Sequence, residues 1–271
     1  MAVVKGPFNI QGSVKGVTFY TRTDSDKVIM RTKGGPSKGR IAKGAEFEKL
    51  RSHQQEWSAC VQFARGVKAA VGDLVRLSDF NLAPAWTGMG KKLIGLDKES
   101  PVGERALRLS HYPQALVNYE MNRNNPFQTV LRIIPAVKID KEKLQAQVDF
   151  PAFNTSMNLY NYRQLPYFRL QVSFGCVADR VYNASSLFYN YDPASDELDG
   201  LYAAYTGEWH SCNDLIAAEN VNLQLAEWAQ ALDKKEVSVL LSVGIEFGTA
   251  GFGGEIEVVK RAGSAKIIAV L

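Results

Sequence analysis

Apolar positions along this chain change period once. From 45 to 71 they recur every three or four places: Phe47, Leu50, Trp57, Val61, Ala64 and Val71 form a ladder broken only at Gln54 and Lys68. That spacing predicts an amphipathic helix. Gly72 follows at once, where a glycine ends helices by taking a left-handed conformation. A shorter helix around 85–95 places Trp86, Met89 and Leu93 on one side. A third is expected from Ser100-Pro101, a cap residue and a first-turn proline, running through Glu104, Ala106 and Leu107.

MNRNNP, residues 121–126, is a run of turn formers, and beyond it the period becomes two. Strands are expected at 127–134, 144–150, 167–176, 183–190, 201–209, 220–226, 237–247, 255–260 and 264–270. Within 144–150, Leu144, Ala146, Val148 and Phe150 face one way, with Gln145, Gln147 and Asp149 facing the other. Short strands separated by turn signals point to an antiparallel sandwich of immunoglobulin-like type. EWAQALDKK, residues 227–235, reads as a helical turn between strands.

Before the long helix, residues 13–32 predict a β-hairpin: SVKGVTFY alternates, Thr23-Asp24-Ser25-Asp26 turns the chain, and KVIMR returns. TKGGPSKGRIAKG, residues 32–44, has four glycines, a proline and no period, as a flexible basic connector has. The fold class is therefore α+β. Its parts are a basic hairpin and linker over 1–44, a helical region over 45–125 and a β-sandwich over 126–271.

Charge sharpens this division. Residues 1–125 hold 20 Lys+Arg against 11 Asp+Glu, and residues 126–271 hold 12 against 17. Such asymmetry marks a molecule whose ends meet different partners. The composition, 46% hydrophobic and 22% charged, is that of a folded globular chain. No 18-residue apolar stretch spans a membrane, and MAVVKGPFNIQGS lacks the apolar core of a secretory signal. Synthesis in the cytoplasm is expected, with the final site either there or outside by a signal-independent route. Cys60, Cys176 and Cys212, odd in number and far apart, suit a reducing compartment.

Candidate chemistry is sparse. Gly34 and Gly39 have the glycine spacing of a phosphate-binding loop, but Arg40-Ile41 stands where Lys-Ser/Thr is needed. His210 and Cys212 could give two zinc ligands where a structural site needs four. Glu208 beside His210, or Asp196 with Asp199, could be imagined as acid–base pairs, yet DPASDELDG has the composition of a solvated turn. No catalytic, cofactor or metal residue is assigned.

Two binding readings have a physical basis. Residues 1–43 carry nine cations against Asp24 and Asp26, with Phe19 and Tyr20 among them, which suits phosphate contacts and base stacking on nucleic acid. A basic head and an acidic tail on one chain equally suit a heterologous self-contact, which makes rings or filaments. The opening GPFNIQGSVKGVTFYTR…VIMRTKGGPSK, with Gly6, Gly12, Gly16, Val17, Met30, Arg31 and Lys33, then Gln54, Trp57 and Phe63, resembles an uncharacterised group of bacterial proteins common in Bacteroidetes. The resemblance covers about the first 70 residues, implies a bacterial origin and brings no activity.

The sequence thus points to a non-enzymatic structural protein whose partner is its own copy. The expected donor surface is Val14, Val17, Phe19, Tyr20, Ile29, Met30, Arg31, Lys33, Lys38 and Arg40. The expected acceptor is Asp192, Asp196, Glu197, Asp199, Glu255 and Glu257. A nucleic-acid-binding arm and a binding module built on the sandwich are the alternatives.

Overall fold

The computed structural model describes residues 2–4, 11–22, 25–32, 34–186, 188–190 and 196–271. Their contacts group into two units, residues 1–51 and residues 52–271.

The first unit is built on one antiparallel sheet. β1 (Ala2–Val4), β2 (Gly12–Val14), β3 (Val17–Arg22) and β4 (Ser25–Thr32) lie in the order β1-β4-β3-β2. β3 and β4 are the expected hairpin, but SVKGVTFY is not one strand. Lys15 and Gly16 both have positive φ, 41° and 85°. A two-residue turn of this kind matches the twist of a hairpin, so it folds Gly12–Val14 back onto Val17–Phe19. Residues 38–43, inside the stretch read as a connector, form α1 (Lys38–Lys43), whose N-terminus is capped by Ser37 accepting from the Arg40 N–H.

α2 (Glu48–Val71) runs on into the second unit, as its period predicts. Its buried face is Ala59, Cys60, Phe63, Ala64, Val67, Ala70 and Val71, whereas Leu50 and Trp57 of the expected ladder are exposed. Gly72, at φ 60°, ends it. α3 (Leu82–Ile94) starts at Asn81, whose side chain caps the Ala83 N–H, and buries Trp86 and Leu93. The helix expected from Ser100-Pro101 is absent. Asp97 accepts from the N–H groups of Glu99, Ser100 and Ala106 and folds the segment into turns instead. Gly103, at φ 107°, is also incompatible with a helix.

The strands of the second unit are β5 (Tyr119–Glu120), β6 (Ala136–Asp140), β7 (Gln145–Phe150), β8 (Phe153–Asn154), β9 (Tyr167–Ala178), β10 (Val181–Asn183), β11 (Phe188–Asn190), β12 (Tyr202–Thr206), β13 (His210–Ser211), β14 (Leu215–Ile216), β15 (Glu219–Gln224), β16 (Val237–Ala250), β17 (Ile256–Val258) and β18 (Ser264–Val270). The main sheet has seven strands, in the order β12-β9-β16-β18-β5 with β13 on β9 and β17 on β16, and a three-stranded sheet has the order β15-β7-β6. Every pairing is antiparallel. The strand expected at 127–134 is a short helical turn at Phe127–Val130, and 183–190 is a hairpin of two short strands.

β9 and β16 read as near-continuous apolar and small residues because both of their faces are covered. Phe168, Leu170, Val172, Phe174, Val239, Leu241, Val243 and Ile245 share a core with Val148, Phe150 and Val221 of the smaller sheet. The opposite face is narrow: Ser173, Gly175, Ser242 and Gly244 lie there, and the helical layer comes close. The Ser173 hydroxyl donates to the Ala70 carbonyl at 3.0 Å, and a β-carbon on Gly175 would stand 2.6 Å from that same oxygen. Val177, Leu240, Ala265 and Ile267 join the α2 and α3 side chains in a second core.

Polar groups fasten these layers. Glu56, fully buried, receives Arg105 Nε at 2.7 Å, Lys91 Nζ at 2.6 Å and the Gly103 N–H at 3.0 Å. Burial alone would raise its pKa, but hydrogen bonds from Arg105, Lys91 and the Gly103 N–H, with the charge of Lys91, hold it down to about 2. Glu246, 1% exposed, joins Arg169 at 2.7 Å and Arg76 at 3.0 Å.

Candidate assembly surface

The residues expected to mediate self-association fall into three groups once placed. In the first unit, β2 pairs only with β3 among the described residues, so its outer edge is open. Gly12, Ser13 and Val14 are all exposed, Val14 at 60%. Residues flanking a two-residue turn form a hydrogen-bonded pair, and opposite pairs alternate along the ladder. Val14 pairs with Val17 next to the turn, so the Ser13 N–H and C=O point outward, where a further strand can meet them. Arg31 and Lys38 are exposed as expected.

Other members of the donor set are less exposed or have partners within the unit. Ile29 is 8% exposed, and Val17, Phe19, Tyr20 and Met30 are half-buried. Arg40 is exposed but paired within the unit: its Nε donates to Glu46 at 3.0 Å, and its guanidinium lies 5.9 Å from the Phe47 ring centroid. Lys33 lies outside the described residues, as does Asp192 in the acceptor set.

The acidic residues do not form one patch. Asp199 accepts from Arg180 at 2.9 Å and from the Ala178 N–H at 2.9 Å, and a β-carbon on Gly66 would stand 2.8 Å from its carboxylate. Its carboxylate is thus paired within the fold, and Arg180 in turn reaches the Gln62 carbonyl of α2 at 3.4 Å. Asp196 and Glu197 are exposed nearby. Glu255 and Glu257 belong to the other end of the sheet. Ala178 pairs with Val237, whereas Glu257 pairs with Thr249, twelve residues farther along β16. At the rise of an extended strand this is a separation of roughly 40 Å.

That second end carries a feature the sequence reading missed. β16 and β17 are joined by a glycine-rich tip in which Gly253 and Gly254 have φ near 90°. Phe252 stands on it fully exposed, at 103% of its reference area, beside exposed Glu255 and Glu257. A large apolar side chain set among three glycines was the available signal. Single exposed apolar residues are ordinary, but one held wholly in solvent on a hairpin tip contributes nothing to the fold that carries it.

Charge follows the unit boundary. Residues 1–51 hold 11 Lys+Arg and 4 Asp+Glu, and residues 52–271 hold 21 and 24.

His210 packs on Phe168 with ring centroids 5.7 Å apart, and burial pushes the Cys212 thiol up to about 11. The thiols of Cys60 and Cys176 are raised likewise, to about 11 and about 12, chiefly by burial, the opposite of what a reactive cysteine needs. No group of three or more His, Cys, Asp or Glu among the described residues is placed to hold a metal ion. Glu208 and His210 line a shallow cavity of about 220 Å³ with Tyr205 and Glu219. No helix among the described residues is long and apolar enough to cross a membrane.

Neither family models, nor curated proteins, nor solved structures give a match to this chain.

Proposed function

We propose that this is a structural protein that self-associates head to tail into a filament or ring. The basic N-terminal unit is the head, and the β16–β17 tip is the tail. The observation that carries this reading is Phe252, fully exposed between the glycines of the tip and flanked by Glu255 and Glu257. The open β2 edge is its counterpart: an exposed edge strand is a template for pairing with another chain. Opposite charge on the two units steers the encounter and fixes its polarity. Because head and tail are different surfaces of one molecule, the contact is heterologous and repeats unless the rotation closes.

The second unit reads as a sandwich of immunoglobulin-like type. Its support is that both sheets are antiparallel and share one apolar core.

Sedimentation velocity is the test. At tens of micromolar chain and about 20 mM salt the protein is expected to run as species larger than one chain, and to revert toward the single chain at about 0.5 M salt. A single-chain species at both salts overturns the reading. If it then shifts only on adding nucleic acid, with retention lost on deleting residues 1–43, the basic head serves a polyanion instead.

A further inference from the structure

A cavity of about 540 Å³ lies between the turns that follow α3 and strand β10. Its apolar wall is Leu93 and Val181, and Tyr112 and Tyr182 add aromatic rings. Arg108 also lines it, directly after Leu107, which exchanges N–H to carbonyl hydrogen bonds with Arg180 at 2.8 and 2.9 Å. The Nε of Arg108 is buried and has no hydrogen-bond partner, and no carboxylate lies within 4 Å of its guanidinium among the described residues. A buried donor without an acceptor costs about 1–3 kcal/mol, so an unpaired one calls for an explanation, a functional role or a bound ion or water among them.

We propose that this cavity binds a small carboxylate carried on an apolar or aromatic body, with Arg108 receiving the carboxylate. A guanidinium presents parallel N–H groups that match a carboxylate in a two-point contact, and a cavity of this size takes a ligand of drug-like dimensions or smaller. The rest of the lining selects for single charge. Asp97, Glu99 and Glu104 face the same space, with Lys98 the other cation. Asp97 is held ionised: burial would raise its pKa, but the N–H groups of Ala106, Ser100 and Glu99 bring it down to about 2. Three carboxylates in the lining repel a phosphate dianion more than a monoanionic carboxylate.

Calorimetric titration of the full chain with phenylacetate, phenyl phosphate and phenethylamine tests this. Phenylacetate is expected to bind with a dissociation constant of about 1 mM or lower, the range open to ten non-hydrogen atoms. Phenyl phosphate binds more weakly and phenethylamine not measurably. Arg108→Gln is expected to weaken phenylacetate tenfold or more, and Arg108→Lys, which keeps the charge but not the fork, by less. No binding of phenylacetate, tighter binding of phenyl phosphate or phenethylamine, or unchanged affinity in Arg108→Gln each overturns the proposal. If Arg108→Gln fails to fold, the lysine variant decides: weakened binding supports the site and unchanged affinity overturns it.

Discussion

Glu56→Ala should cost about 3–5 kcal/mol of folding stability, the usual result of removing one member of a buried charge cluster. The loss is large because three donors converge on that carboxylate. Arg105, 17% exposed, Lys91 and the Gly103 N–H would all lose their acceptor. Urea unfolding of wild type and variant at pH 7 reads the difference. It should also depend on pH. The folded-state pKa of Glu56 is depressed from 4.5 to about 2. Its contribution is therefore fully present above about pH 4.5 and is lost as pH falls through 2. The gap between the two proteins should narrow over that window. A gap below about 1 kcal/mol at pH 7 would place the stability elsewhere.

Gly175→Ala should cost about 3 kcal/mol, the upper end for overpacking. The added methyl would stand 2.6 Å from the Ala70 carbonyl oxygen and 2.7 Å from its Cα. Both are backbone atoms of α2, so the helix must move off the sheet as a body. Gly244→Ala, on the neighbouring strand, meets only the ends of Leu74 and Leu77, with contacts at 2.6 and 2.8 Å. Those side chains can turn away, and the cost there should be about 1 kcal/mol. Equal costs at the two glycines would mean that the helical layer is free to shift. Melting curves of the two variants settle the comparison.

Gly175 also shows why the sequence was legible only in part. Local pattern identified α2, α3 and β7, which repeat or alternate, and β9, β16 and β18, which are runs of apolar and small residues. It did not identify which stripe of α2 faces the core. Of the expected ladder Ala64 and Val71 are buried, yet Leu50 and Trp57 face solvent. The buried stripe also includes Ala59, Cys60 and Ala70, small residues that carry little hydrophobic signal, and Ala70 is the one that meets Ser173 and Gly175. Lys15-Gly16 was hidden inside an apparent alternation, since a tight turn of two residues leaves the parity of the pattern unchanged.

Ion pairs were the least legible feature. Asp199 belongs to a stretch with the composition of a solvated turn, and nothing nearby in sequence marks Arg180 as its partner. Glu56 meets Arg105 across 49 positions. Long-range pairing of this kind is set by topology, so the acidic acceptor split in two and lost one member to the fold.

The most direct test of head-to-tail assembly is a mixture of two defective chains. Val14→Lys puts a charge on the open strand edge, and Phe252→Ala removes the apolar tip; both sites are exposed, so each variant should melt within about 0.5 kcal/mol of wild type. Each alone should sediment as a single chain at low salt. Mixed in equal amounts, the intact head of one meets the intact tail of the other, and they should form pairs that grow no further. Polymers from either variant alone, or a mixture that stays entirely single, would contradict the account.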